Sequence, residues 1–422
     1  MPLILNSPVS KSTRAIRLVG ATKYAFAVRA GGHATFEGAS NINQGLTSSL
    51  ERLNSVTLVN DGSIAHVGPG NRWYDVYRDL EKSNVTIPGG RSGSVGAAYL
   101  FFRQPWILDL IKQPKAVLAD GSIVNVNVTS HPNLYWALRG GGANFAIVTR
   151  FDIYSIPHEM MWEGIRNYTI DQVDTILDSY VEFGLRASEN PSAYQITTLY
   201  YTHAKHHATV DLYNTEPEPN PSIFQSLDEA RPYADTTSIN RQSNISLINA
   251  LGQPDGLRQT YWTATYKLDR VLAGFVQKVL NDETSQLGDL DGLEARCIMQ
   301  VITTDILRHM GKNGGNTLGI STLKHPLMLL NPTFRWQNEE DDLKILQANM
   351  NLVNRVNARA REMGLDEPFL YMNYASQFQD VIHSYGSANV YRLRMIADRY
   401  DPDEVFRTLQ PGYFKLSGRV GW

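Results

Sequence analysis

Phe26-Ala27-Val28-Arg29-Ala30-Gly31-Gly32-His33 reads as a short buried strand that stops on two glycines and then presents an imidazole. Glycines at such a stop let the backbone turn tightly, and their N–H groups can close on a phosphate with no Cβ in the way. A Gly-Gly-His turn met alone is an ordinary turn. Here two further glycine-rich stretches lie within the first 150 residues, GGRSGSVG at 89–96 and GGGANFAIV at 140–148. Three such loops beside strand or helix ends point to a nucleotide cradle. Neither of the later two is followed by Gly-Lys-Ser/Thr, and neither sits in a strand–GxGxxG–helix unit, so they read as neither a phosphate-binding NTPase loop nor a Rossmann fingerprint.

Working outward, residues 24–30 form the first strand. VTLV and SIAHVG flank Asn60-Asp61-Gly62 as a hairpin, and residues 116–128 repeat the device around Asp120-Gly121. Helices are expected over 73–82 and 133–139, the second stopped by Gly140-Gly141-Gly142. From about Pro157 to Pro368 the strand-like runs ITTLYY, ATVDLY, QTYWTATY and RCIMQVIT mix with amphipathic stretches over 173–184 and 341–363, as expected for one sheet backed by helices. FLYMNYAS at 369–376 reads as a strand, followed by a helix over 387–400 and a short closing helix. No internal repeat is evident.

The chain has 422 residues, of which 42% are hydrophobic and 19% charged, the composition of an ordinary globular protein with two or three structural units. Lys plus Arg is 39 against 42 for Asp plus Glu, a formal charge of −3. No overall basic field exists to hold nucleic acid or an anionic membrane, and a small-molecule substrate fits better. Cys297 is the one cysteine, so no intramolecular disulfide can form, and in its apolar strand it reads as a buried core thiol.

The longest apolar stretch, 97–111, is too short to span a bilayer and carries Arg103 and Asp109. The first residues hold an apolar run too brief for a secretory signal, so either an intracellular protein or a chain lacking its natural N-terminus is expected. Sequons at Asn84, Asn127, Asn167 and Asn244 are no more than a chain of this length shows by accident. His203-x-x-His206-His207 lies between two strands with no carboxylate or thiol and reads as a hairpin turn, not a metal site. Residues 338–342 read as a solvated helix start. No Gly-x-Ser-x-Gly elbow is present.

Taken together, FAVRAGGH (26–33), GGRSGSVG (89–96), VLADGSIV (117–124), HPNLYWALRGGGANFAIVT (131–149), GGNTLGI (314–320), FLYMNYAS (369–376) and YDPDEVFRTLQPG (400–412) resemble the FAD-linked oxidoreductases of the berberine-bridge-enzyme type, especially fungal ones. They occur in family order across nearly the whole chain. The resemblance implies an α+β fold: a vanillyl-alcohol-oxidase-type FAD-binding domain over 1–155, a substrate domain with an antiparallel sheet backed by helices over 156–365, and a segment 366–422 that returns to the FAD domain. It implies an oxidase in secondary-metabolite biosynthesis, with FAD as cofactor, hydride passing to the flavin and molecular oxygen reoxidising it.

Carried over by position, the resemblance makes His33 the covalent flavin anchor and Gly31 and Gly32 the pyrophosphate holders. Arg29, Gly93, Val95, Gly96, Gly142, Asn144, Phe145, Ile147, Val148 and Asn373 become further cofactor contacts, and Tyr374 the catalytic base. Ala146 stands where the family usually has glycine. Three departures bear on function. About twenty residues that normally follow Gly96, including the cysteine that often supplies a second covalent anchor, are missing. The usual signal peptide and opening strand are also expected to be missing, with Met1 entering just before the first helix. A less enclosed flavin predicts weak FAD binding and slow oxidation, and the alternative reading is a family member that has lost redox chemistry and serves as a binding scaffold or non-oxidative cyclase.

Overall fold

A computed structural model describes residues 3–6, 9–98, 110–253 and 255–418. The segment after Gly96, where the missing family residues would fall, lies largely outside the described residues. Near the N-terminus three strands, Leu3–Asn6, Leu46–Ser49 and Phe26–Arg29, run parallel with Leu46–Ser49 in the middle. The strand Leu3–Asn6 corrects the expectation that no opening strand precedes the first helix. Leu3-Ile4-Leu5 is long enough to pair with Leu46–Ser49, residue for residue, before helix Val9–Thr22 begins.

Beside this lies a five-stranded antiparallel sheet in the order Val56–Val59, Ile64–Val67, Ile147–Tyr154, Ile111–Val117, Ile123–Asn125. Its two hairpins turn at the dipeptides the sequence offers: Asn60, Asp61 and Gly62 all have positive φ, and Gly121 sits at φ 76°. Helix Trp73–Glu81 buries Trp73, Val76, Tyr77 and Leu80, one stripe at helical spacing. Helix Pro132–Leu138 starts on proline, whose missing N–H costs nothing in a first turn.

The middle of the chain forms a ten-stranded antiparallel sheet with Ala193–Thr202, Glu294–Ile302 and Leu327–Trp336 near its centre. Period-2 alternation decides which face each residue takes. Along Glu294–Ile302, Ala295, Cys297, Met299 and Val301 pack into a core with helices Val173–Arg186, Arg270–Leu287 and Asp342–Met363. Cys297 is fully buried there, as expected of a core thiol. Arg296, Ile298 and Gln300 take the opposite face. The Asp269 carboxylate caps Arg270–Leu287 by accepting from the Leu272 N–H at 2.8 Å. Gly364, at φ 66°, closes Asp342–Met363.

A second core gathers residues of the five-stranded sheet, helix Trp73–Glu81 and the C-terminal segment, including Trp73, Phe151, Phe369 and Tyr371. Here another expectation is corrected: FLYMNYAS is not a strand. Residues 369–376 carry no ladder and turn at Tyr371–Tyr374, closed by the Tyr374 N–H donating to the Tyr371 carbonyl at 2.9 Å. Side chains hold this backbone in place of a partner strand. The Ser384 hydroxyl accepts from the Leu370 N–H, and the Gln379 side-chain carbonyl from the Ser376 N–H. Phe369, Tyr371, Met372, Asn373 and Ala375 are buried without strand alternation. Helix Ser387–Tyr400 follows, then a single π-helical stretch at Val405–Leu409.

Candidate active site

Strand Phe26–Arg29 ends against the glycine-rich loops, and bare backbone brings them together. A Cβ on Gly31 would lie 2.5 Å from the Gly96 Cα, and one on Gly96 would lie equally close to the Gly31 Cα, so neither position accepts a side chain. Beside this contact is a cavity of about 150 Å³ lined by Gly31, Gly32, Gly142, Ile147, Val148 and Tyr413, with His33 at its edge. Ala146 also lines it.

Three of the loops are held from behind. The Asn144 side chain donates to the Gly141 and Phe414 carbonyls and accepts from the Leu416 N–H. Lys415, 4% exposed, donates to the Ala143 and Phe406 carbonyls at 3.1 Å each; burial lowers its ammonium to about 7, with Asp401 opposing. Phe145 is fully buried in the core beneath. Gly93 is pinched between Tyr74 and the Ser246 carbonyl, which accepts its N–H at 2.7 Å. The Arg29 stem packs on Gly32. Asn144, Phe145, Gly93 and Arg29 therefore stand behind the cavity walls, whereas Gly31, Gly32, His33, Gly142, Ile147 and Val148 form them.

A larger cavity, about 380 Å³, opens on the other side of His33, between loop 90–95, the end of helix Gln242–Leu251 and the polar face of the ten-stranded sheet. Val95, Tyr371, Asn373 and Tyr374 line it. His33 borders both cavities. Burial holds its imidazole below the usual histidine range, with a backbone hydrogen bond opposing and the Arg72 charge adding to it, which favours the neutral ring. The Tyr374 hydroxyl accepts a 2.8 Å hydrogen bond from the Gln300 amide. Its ring meets Tyr371 edge-on at 4.8 Å, and the Asn373 amide donates to the Tyr371 hydroxyl at 2.8 Å. Tyr371, Asn373 and Tyr374 are thereby fixed as one unit.

Sequence reasoning missed the sheet side of this cavity. Arg91, on the glycine loop, pairs with Asp211 on strand Lys205–Asn214 at 3.1 Å and tethers loop to sheet. Burial works against the Arg91 charge, but the Tyr213 and Tyr374 phenols and Asp211 more than offset it and raise its pKa. Burial pushes the Asp211 carboxyl up while Arg91 pulls it down, and the net direction is upward. Glu163, 7% exposed, is raised to about 8 by burial first and the Asp211 charge second, with Arg91 opposing. Thr198, Thr209, Asp211 and Arg296 also line the cavity. The available signal was polar residues alternating along the strands, which also describes a face turned to water.

The cradle fits a flavin dinucleotide: a glycine-walled groove where no Cβ fits, leading past an imidazole to a larger cavity with a tyrosine. A family model described as an FAD binding domain matches residues 9–127, and one described as berberine and berberine like matches 370–411. The FAD-dependent monooxygenase tpcD of Cochliobolus heterostrophus is 35% identical over 94% of this chain and 81% of its own length.

The chain belongs to the berberine-bridge-enzyme-like FAD-linked oxidoreductases. An FAD-dependent monooxygenase of Fusarium proliferatum is 32% identical to this oxidoreductase over 93% of the chain and 80% of its own length. Among solved structures, 6-hydroxy-D-nicotine oxidase from Arthrobacter nicotinovorans superposes with a TM-score of 0.77 at 17% identity, covering 96% of this chain and 90% of that one. Xylooligosaccharide oxidase from Myceliophthora thermophila superposes at 0.74 and 18%, covering 98% and 91%. These last two show the α+β, vanillyl-alcohol-oxidase-type fold. The oxidoreductase thus uses FAD and acts on a small molecule. Among its described residues, no helix is long and apolar enough to cross a membrane and no group of three metal-ligating side chains occurs. His203 and Ala204, both at positive φ, make the tight turn of the hairpin expected there.

Proposed function

We propose that this oxidoreductase is an oxidase of small-molecule biosynthesis in which Tyr374 is the base and His33 the covalent anchor of FAD. The observation that carries the reading is the meeting of His33 and Tyr374 on one cavity wall, with the Gln300 amide donating to the tyrosine oxygen. When bound, FAD supplies a hydride acceptor that molecular oxygen regenerates with release of hydrogen peroxide. Gly31, Gly32 and Gly142 hold its phosphate end, and Asn373 and Val95 flank the ring end. In its neutral form the His33 imidazole can act as the nucleophile that bonding to a flavin needs. Tyr374 takes a proton from a substrate hydroxyl on the oxygen that Gln300 supports, since an N–H donor favours negative charge there.

A core drawn wholly from residues 162–360 supports a substrate unit of 156–365, and a core that joins residues 39–153 to 369–416 supports a cofactor unit of 1–155 with 366–422, residues such as Ile302, Leu318 and Leu327 packing across to it from the substrate unit. The test is Tyr374→Phe. Flavin content should equal that of the wild type, while turnover falls by roughly a hundredfold or more, the scale for losing a general base. A variant that turns over normally would remove Tyr374 from the chemistry.

A further inference from the structure

Within the reading of the large cavity as the substrate site, its far end is built differently from the end at Tyr374. Arg296 lies on the same strand face as Gln300, four residues away, which is roughly 13 Å along the strand. Ile298, between them, also lines the cavity. The register sets Tyr200 opposite Arg296 on one side and Thr333 on the other. The guanidinium stands 5.9 Å from the centre of the Tyr200 ring.

Arg296 is poorly compensated. Its Nη2 donates to the Glu294 Oε2 at 2.7 Å, but Arg335 Nη2 donates to the same oxygen at 2.6 Å. One carboxylate therefore serves two guanidiniums. Arg335 is 7% exposed and committed to Glu294, whereas Arg296 keeps 31% exposure beside the cavity, and its Nε has no hydrogen-bond partner among the described residues. Further along, Asp211 pairs with Arg91 at 3.1 Å and also faces the Arg296 charge, so one carboxylate is again shared between two guanidiniums. Glu163 carries its proton at neutral pH and supplies no charge. At the His33 end, Arg72 and Asp255 act in opposite senses. The sheet face of the cavity is left with one positive charge in excess, centred on Arg296.

We infer that the substrate carries a carboxylate that docks on Arg296, with an apolar middle lying over Ile298 and its reacting hydroxyl at Tyr374. A planar carboxylate suits the guanidinium donors and the aromatic edge of Tyr200. The substrate class is then a hydroxylated acid with its two polar ends apart.

The test is calorimetric binding of 3-(4-hydroxyphenyl)propanoate and its amide to the flavin-loaded protein, which reads recognition without turnover. The wild type should prefer the acid by about tenfold or more, the scale of a charge-assisted hydrogen bond, and the preference should shrink as salt is raised. Arg296→Gln should lose the preference at unchanged flavin content, and Arg296→Lys should keep part of it. Equal binding of the two probes by the wild type, binding of neither at millimolar concentration, or an undiminished preference in Arg296→Gln would overturn the inference. A preference for the acid in a protein that fails to oxidise anything would leave the carboxylate site at Arg296 standing and sink the oxidase reading on which the reacting end rests.

Discussion

The Gln300 amide reaches the Tyr374 hydroxyl at 2.8 Å across the gap between the ten-stranded sheet and the irregular segment 369–376. Neither element positions the pair alone. Strand alternation aims Gln300 away from the helix-facing core, and the turn at Tyr371–Tyr374 lifts the tyrosine toward it. Replacing the amide with an apolar group of similar size removes the donor that favours negative charge on the tyrosine oxygen. Gln300→Leu should lower kcat/KM by about tenfold across its pH profile, the scale of one lost hydrogen bond, with the flavin still bound. An unchanged profile would mean that the hydrogen bond is only structural.

His33 tests the anchor. Acid-precipitated wild-type protein should keep its yellow colour, whereas His33→Ala should release its flavin or never load it. Colour that survives precipitation in the variant places the bond elsewhere. Flavin content per chain also tests the expectation of weak binding drawn from the missing residues after Gly96: full occupancy with rapid peroxide production would remove it.

The contact of Gly31 with Gly96 leaves no room for a methyl, since either Cβ would press on backbone that cannot rotate away. Gly96→Ala should force the two loops apart, costing about 1–3 kcal/mol of stability and most of the flavin. Denaturant midpoint and flavin absorbance measure the two effects. A variant that loads normally would show that the loops separate freely.

Glu163 gives the pH dependence. Its folded pKa, about 8, lies above the ordinary value of 4.5, so the fold favours the protonated acid. The stability this contributes is complete below about pH 4.5 and is lost as pH rises through about 8. Glu163→Gln cannot ionise. Its stability relative to wild type should therefore grow between pH 5 and 8, reaching a few kcal/mol at most. Urea unfolding at the two pH values reads the difference, and an equal difference at both would exclude ionisation of Glu163 as its source.

By itself the sequence determined the features whose physics is local to the chain. Glycines that must turn or touch backbone, as at 31–32, 96 and 142, announce themselves because no other residue fits. Helix stripes such as Trp73, Val76, Tyr77 and Leu80, the dipeptide turns, and alternation along 294–302 are read at short range for the same reason. Motif order did the rest, placing His33 and Tyr374 in one family pattern. Only the tertiary structure decided what meets what. FLYMNYAS has strand composition, but Ser384 and Gln379 fix it as a turn, and those partners are distant or unreadable in a linear pattern. Asp211, Arg296 and Gln300 alternate along their strands as residues on a wetted face would. Asp211 and Arg296 line the cavity, and Gln300 meets Tyr374 beside it, because the glycine loops, more than a hundred residues earlier, and the segment 369–376 close over that face, and a polar side chain turned to a cavity has the same local sequence as one turned to water.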